Sequence, residues 1–547
     1  MVLPQWTFEE PGFLDGYCYL GHVLGPIANR LSFPNHPSGD LLPVFWPKHF
    51  LFQLFPPLWA NAVEKILVAT LILFLVFSLG RNLSDRVFGF MATILTAANT
   101  YFWTIVSSEY PEAMTLLYVT LTFYLAERAA HEKTKWHKAA LGIAMACSIS
   151  SAFLSLGYMA SAVLLYLALK WQRRLRVLDF RDFLIPMGFF LGIGVLALAN
   201  WSYTGDFYYF ANTVNKARAF LNQSRQLPFW QWFTNARWLD FPCIIVVFFL
   251  MLSGRLFAQR RRPDAKFLFL GSSVFSFAFL SGLQFVKKQG TISDPYYFYQ
   301  LLTVVSISTA IVFDEVFFER LRLHKKTLGV LSIVILIVGL LFKNVHGDMA
   351  TEIGLAILFF GFFSVRVKKS VLLTGLAWVA LLGASISLTN AFGKYGRVRQ
   401  DGNLFADFRS GPQGYFREQM FRANISWYEI ANRIDPHRKS LMWYDASEPQ
   451  GFYFRNFAGV SHLWQGGLIN EKFPQTDPPP TTWQGPSQIP VAENMDVLVV
   501  TSQKVTKMQK LAGELDKKNL KFEILTEETL SSVPVSFDIL LLHLSRK

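Results

Sequence analysis

Apolar residues in this chain gather in long blocks, and polar ones in short clusters between them. Stretches with almost no charge run at about 61–80, 87–106, 112–127, 139–154, 156–170, 183–203, 241–258, 267–286, 296–314, 327–343, 350–365 and 371–390. An α-helix needs roughly 20 apolar residues to cross about 30 Å of hydrocarbon. The pattern predicts an all-α polytopic membrane domain of about 12 transmembrane helices. The block 139–170 is too long for one span and short for two, and Gly157 near its middle is where a turn is expected.

The cationic clusters fall after alternate blocks. They contain Arg81 and Arg86; Arg128, Lys133, Lys135 and Lys138; Lys170, Arg173, Arg174, Arg176 and Arg181; Arg255, Arg260, Arg261, Arg262 and Lys266; Arg320, Arg322, Lys325 and Lys326; and Arg366, Lys368 and Lys369. With this count of spans every cluster faces the same side, which the positive-inside rule makes cytoplasmic. Segments 1–60, 204–240, 287–295 and 391–547 then lie outside. No cationic stretch followed by a short apolar one precedes the first block, so no signal peptide is visible. A transmembrane helix ahead of Met1 is the expectation that follows.

After Phe392 the chain turns polar, with PQTDPPPTTWQGPSQIP at 474–490 as an irregular loop. Strands are expected at 440–445, 496–502, 521–526 and 537–545, and a helix from Lys504 to Lys518. These predict a small C-terminal α/β domain, extracytoplasmic by the charge rule. It has no glycine-rich phosphate loop and no nucleophile elbow, which favours binding or scaffolding there over catalysis. The expected division is an extracytoplasmic loop at 1–60, a multi-span domain at 61–392 with an outer loop at 204–240, and a soluble domain at 393–547.

Composition sharpens this. Of 547 residues 52% are hydrophobic and only 16% charged, against about 25% charged in soluble domains. The 53 phenylalanines suit lipid-facing packing. A net charge of +14 concentrated in short clusters reads as membrane orientation, with no nucleic-acid partner. Cys18, Cys147 and Cys243 are too widely spaced for a disulfide framework or a metal motif. No Walker, Rossmann or HExxH pattern is present, so ATP-driven transport and common zinc proteolysis are excluded within the chain. His22, His36 and His49 share the first loop without metal-ligand spacing.

The remaining chemistry lies in carboxylates and cations at the outer face. WTFEEPGFLDGYCY at 6–19 sets Glu9, Glu10 and Asp15 among aromatics, and Lys48 follows in PVFWPKHF. Glu109 and Glu112 stand in SSEYPEAM, between two spans. Acids beside apolar surface are costly unless paired or used, although Glu112 also suits the positive end of a helix dipole. The aromatic and basic segment 204–240 reads either as an interfacial belt or as a cradle for a lipid phosphate. Lys216, Arg218, Arg225 and Arg237 are its candidate anion partners. The spans themselves hold few charges, with Glu64 and Lys65 near an end.

The order of these features resembles the GT-C superfamily of integral-membrane glycosyltransferases, in its protein O-mannosyltransferase and aminoarabinose-transferase branch. LDGYCYLGHVL at 14–24, PVFWPKHFLFQLFPPLWA at 43–60 and SSEYPEAMTLLYVTLTFYLAERA at 107–129 carry the likeness. The resemblance implies that Asp15 is the catalytic base, Lys48 a contact to the donor phosphate and Glu109 a second catalytic acid. It implies a polyprenyl-phosphate sugar as donor, inversion at the anomeric carbon, no certain cofactor beyond a candidate divalent metal, and a bacterial inner-membrane location. Glu10, Lys48, Glu112, Lys216, Arg218, Arg225 and Arg237 are the expected substrate-binding set. Membrane lipids are partners, and the acceptor is protein, lipid or polysaccharide. Such enzymes begin with a transmembrane helix before the acidic loop. Two departures stand out. Many relatives carry Arg where this chain has Asp40 or Leu41, and DPYYFYQLL at 294–302 lacks the Arg usual in a similar motif. A secondary transporter or flippase and a non-catalytic scaffold are the rival readings. Transporters often show paired repeats, and none is clear here.

Overall fold

The computed structural model describes residues 40–55, 57–97, 111–131, 135–153, 155–176, 179–210, 263–287, 300–314, 439–444, 468–470, 493–501, 504–531 and 536–547, with a few isolated positions between them. The expected spans at 241–258, 327–343, 350–365 and 371–390 lie outside the described residues.

Apart from α1, which falls in the expected 1–60 loop, the helices follow the apolar blocks. They are α1 (Leu42–Leu54), α2 (Pro57–Leu83), α3 (Arg86–Ala97), α4 (Glu112–Ala129), α5 (Lys135–Ser151), α6 (Ser155–Gln172), α7 (Leu184–Thr204), α8 (Ala265–Lys287) and α9 (Leu302–Asp314). Among the described residues two helices, Ala62–Leu83 and Phe180–Ser202, are long and apolar enough to cross a membrane. Arg86–Ala97, Ala265–Phe279 and Leu302–Val312 are shorter apolar helices.

Helix α4 lies at the centre. Leu116, Val119, Phe123 and Ala126 are fully buried, and so are Thr115, Thr120, Thr122 and Glu127. A helix wrapped by other helices meets protein on every side and can carry hydroxyls that a lipid-facing helix cannot. The hydroxyls of α4 are used. The Thr120 and Thr303 hydroxyls share a hydrogen bond at 2.7 Å across to α9, and Thr120 also donates to Leu116 O at 2.6 Å. On the outside, Leu67, Leu71 and Phe74 of α2 and Phe190, Leu191, Val195 and Leu198 of α7 are exposed, as surfaces facing lipid would be.

The block 139–170 resolves into two helices, but the break is not at Gly157. Helix α5 stops at Ser151 and α6 starts at Ser155. Serines stitch the corner: Ser155 donates to Ser148 O and Ala152 O, each at 2.6 Å. Gly157 is helical and lies against Phe279 of α8, whose ring occupies the space a Cβ would take. Small residues also let α5 and α7 cross backbone to backbone, with Gly142 against Ile185 O and Gly188 against Ala139 O.

Two helix starts are capped by aspartates that accept from the backbone, Asp85 from Phe88 N at 2.7 Å and Asp264 from Phe267 N at 2.9 Å. Helix α7 ends at Gly205 with φ of 69°, the left-handed stop that glycine favours.

The expected C-terminal strands are present as β1 (Lys439–Tyr444), β3 (Met495–Thr501), β4 (Leu520–Ser531) and β5 (Ser536–Arg546), with the helix as α10 (Lys504–Lys517). A short β2 (Leu468–Asn470) was not expected. The sheet order is β2-β1-β3-β5-β4. Strand β1 runs parallel to β2 and β3, and β5 antiparallel to β3 and β4. Leu511 and Leu515 of α10 bury against Val497, Val499, Leu540, Leu542 and Leu544 on one face.

Candidate active site at the α1 end of the bundle

Charged groups collect at the two ends of the bundle and differ in kind. At one end they are tightly paired. Asn82 donates to Glu127 Oε2 at 2.8 Å, and Arg173 Nη2 reaches Glu127 Oε1 at 3.0 Å, tying α2, α4 and the end of α6. Asp182 takes Lys138 at 2.7 Å, Lys170 at 2.6 Å and the Tyr166 hydroxyl at 2.5 Å, tying α5, α6 and the entry to α7. Lys266 and Asp314 pair at 2.7 Å between α8 and α9. Helices α6 and α8 run antiparallel, since Ser272 donates to Ser161 O while Gly157 meets Phe279. This brings Lys266 to the same end as Lys170. The described parts of four of the Lys/Arg clusters therefore share one end, as the alternation predicts.

The other end carries α1. This helix contains Pro47, which has no N–H to offer the carbonyl of Pro43 four residues back. The Tyr118 hydroxyl of α4 donates to that carbonyl instead, at 2.8 Å. His49 Nδ1 lies 2.5 Å from Val23 O, and Gln53 Nε2 lies 2.8 Å from His49 Nε2. So seated, α1 turns Lys48 inward. Its side chain is buried, with Nζ 3.7 Å from Glu64 Oε2 on α2 and 6.0 Å from the centre of the Phe52 ring.

Further buried polar groups stand on neighbouring elements. Asp40 precedes α1, Lys65 follows Glu64 on α2, and Gln300 precedes α9; all are under 4% exposed. Glu112 opens α4 directly after Pro111. The Tyr209 hydroxyl shares a hydrogen bond with Ser150 at 2.8 Å. Burial pushes the Tyr209 phenol above its ordinary value, and the Asp40 carboxylate nearby adds to the shift. The set combines lysine ammoniums suited to a phosphate with carboxylates suited to hydroxyls or a proton. Among the described residues no group of three or more His, Cys, Asp or Glu is placed to hold a metal ion.

Of the expected site residues, the structure brings Lys48 and Glu112 to this end. Glu10, Asp15, Glu109, Lys216, Arg218, Arg225 and Arg237 lie outside the described residues. Asp40 was noted only as a position where relatives carry Arg, Gln300 and Tyr209 were not singled out from sequence, and Glu64 and Lys65 were noted only as charges near a span end. Lys65 did leave a signal. Ala62, Lys65, Ala69, Ile72, Val76, Leu79 and Leu83 recur at alternating steps of three and four, and Lys65 is the single charge in that buried stripe.

No protein-family model matches the chain, and no curated protein matches it in sequence. Solved structures do resemble it. The crystal structure of ArnT from Cupriavidus metallidurans bound to undecaprenyl phosphate superposes with a TM-score of 0.51 at 12% identity, over 98% of this chain and 95% of that one. The archaeal oligosaccharyltransferase AglB from Archaeoglobus fulgidus, in complex with an inhibitory peptide and a dolichol-phosphate, gives a TM-score of 0.35 at 11% identity, over 90% of this chain and 66% of that one. At such identity the likeness to ArnT is one of fold, and the chain shares that fold along nearly its whole length.

Proposed function

We propose that the chain is a glycosyltransferase that moves a sugar from a polyprenyl-phosphate carrier to an acceptor at the outer face of the membrane. The observation that carries this reading is the fold held in common with ArnT, whose crystal structure contains undecaprenyl phosphate. In this reading the paired, Lys/Arg-rich end is cytoplasmic and the α1 end lies outside. Residues 1–60 form the catalytic loop, 61–392 about twelve spans, and 393–547 an outer domain, in a bacterial inner membrane.

The Asp15 carboxylate takes the proton of an acceptor hydroxyl or amine as that group attacks the anomeric carbon. The bond to the phosphate oxygen breaks, the carrier leaves as polyprenyl phosphate with an added negative charge, and the anomeric centre inverts. General-base help of this kind contributes roughly 10²–10⁴-fold. Lys48 meets the growing charge. Its ammonium lies 3.7 Å from Glu64 Oε2, within ion-pair range, and that carboxylate orients it at the end of the bundle where the phosphate is received. Glu109 is the second acid. Glu10 and Glu112 receive sugar hydroxyls, and Lys216, Arg218, Arg225 and Arg237 hold the anionic headgroup. An alternating-access transporter must open at both ends, and the ion pairs joining α4, α5, α6 and the entry to α7 disfavour that.

The test is release of polyprenyl phosphate from a polyprenyl-phosphate sugar by the purified chain in nanodiscs supplied with membrane extract as acceptor source. Asp15→Asn abolishes release while membrane insertion stays intact. Release undiminished in Asp15→Asn removes that residue from the role of base.

A further inference from the structure

We infer that the Lys/Arg-rich end of α7 binds an anionic phospholipid, its phosphate received by Arg176 and Arg181 and its chains lying along an exposed stripe of the helix. The inference rests on α7 facing lipid and on that end being cytoplasmic; it does not need the donor chemistry. The first observation is the stripe. Phe183, Met187, Phe190, Leu191, Val195 and Leu198 are all exposed, and their spacing places them on one side of α7 from its N-cap onward. Gly188 and Gly192 lie elsewhere on the helix, against α5. One leaflet is about 15 Å of hydrocarbon, or about ten helical residues. The stretch from Phe183 to Leu191 therefore fits the chains of a lipid in one leaflet.

The second observation is the turn that leads into α7. Phe180–Phe183 forms a 3₁₀ turn in which Phe180 is 91% exposed and Arg181 is exposed as well. Lys170 fastens this turn to the end of α6. Its ammonium bonds Asp182, and its carbonyl accepts from Leu175 N at 2.9 Å, which folds the chain back over the helix end. That fold holds Arg174 in the left-handed region, at φ of 58°, where glycine is the usual residue. Trp136, 86% exposed, and the exposed Trp171 stand on the two helices whose lysines meet at Asp182. Tryptophan favours the headgroup level of a bilayer.

The third observation is charge. Asp182 is taken by Lys138 and Lys170, and Glu127 by Arg173, so the inward cations use these carboxylates. Arg174, Arg176 and Arg181 are exposed, and among the described residues no carboxylate pairs with them. Guanidiniums beside an apolar stripe match a headgroup that carries negative charge above acyl chains. The cytoplasmic leaflet supplies such lipids, and each Arg near its surface contributes about 1 kcal/mol toward binding them. A second copy of the chain fits less well. A twofold contact through the stripe would bring the same arginines of both copies to one end, like charge against like.

The experiment measures lipid retention on the purified full chain by native mass spectrometry, with phosphatidylglycerol and phosphatidylcholine of matched chains titrated in. Wild type retains phosphatidylglycerol more tightly. In Arg176→Gln/Arg181→Gln that preference falls by up to about 30-fold, the equivalent of two surface arginines, and phosphatidylcholine binds as before. Arg81→Gln/Arg86→Gln removes the same charge from the α2–α3 corner at the same end, and keeps the preference. All four arginines are exposed, so these variants fold. Phe183→Ser/Met187→Ser weakens both lipids, and unchanged binding there overturns the role of the stripe. Equal loss in the two arginine double variants would mean a diffuse positive surface and overturns the site. No preference in wild type overturns it as well. So does a lipid-free dimer, or displacement of the lipid by inorganic phosphate at equal concentration.

Discussion

The Tyr118 hydroxyl supplies to the Pro43 carbonyl, at 2.8 Å, the hydrogen bond that Pro47 cannot. A carbonyl orphaned by a proline inside α1 becomes the anchor that fastens α1 to α4. Tyr118→Phe leaves that carbonyl without its donor, at a cost of about 1–3 kcal/mol if it stays buried. The thermal midpoint falls and donor turnover drops as α1 loosens. Pro47→Ala restores an N–H to the helix, so Tyr118→Phe costs less in that background. A double-mutant cycle of thermal midpoints reads the coupling, and strict additivity would dissolve the link.

Lys48 is expected to act on the donor as well as on folding. Lys48→Met leaves the buried Glu64 carboxylate behind, so the thermal midpoint falls, and kinetics are compared per folded molecule. The KM for a polyprenyl-phosphate sugar rises ten- to hundredfold, in line with one charged hydrogen bond. Glu64→Gln, which leaves the ammonium in place, raises it less. Steady-state kinetics in nanodiscs separate the two variants.

How much of this was legible beforehand depends on which interactions decide each feature. Among the described residues, block composition located most helices and the alternation of charge told which of their ends share the cations, because a long apolar run acts at every position of a helix. The strands of the C-terminal sheet were equally visible in runs such as DVLVVT and FDILLL. The corner between α5 and α6 was misplaced because a glycine in sequence can mark a turn or a close approach. Here the serines at 148, 151 and 155 make the turn, and Gly157 makes room for Phe279. Lys48 and Glu112 could be named from their local motifs. The partners of Lys48 and Tyr118 could not, since both depend on how α1 lies against α2 and α4.

Three helical glycines should differ in tolerance according to what a Cβ would meet. At Gly188 it meets the backbone of Ala139, which cannot step aside, so Gly188→Ala forces the helices apart and lowers stability by several kcal/mol. At Gly157 it meets the Phe279 ring, which can rotate, and the cost is smaller. At Gly194 nothing lies within 4 Å, so Gly194→Ala is neutral or stabilising by up to about 1 kcal/mol through helix propensity. The order of thermal midpoints among the three variants checks the packing.

Glu127 offers the complementary separation of stability from chemistry. Its side chain is fully buried and receives Asn82, Arg173 and His131 at the end remote from α1. Removing one partner of a buried pair costs roughly 3–5 kcal/mol because the other charge stays buried. Glu127→Ala therefore lowers the unfolding midpoint sharply, with Arg173 left behind. Glu127→Ala/Arg173→Leu recovers part of the loss, since both charges are then gone. Turnover per folded molecule should stay near that of wild type in both variants, because the site lies at the opposite end of α4. A fall in turnover matching that of Lys48→Met would instead mean that the two ends work as one, and would return the alternating-access reading to consideration.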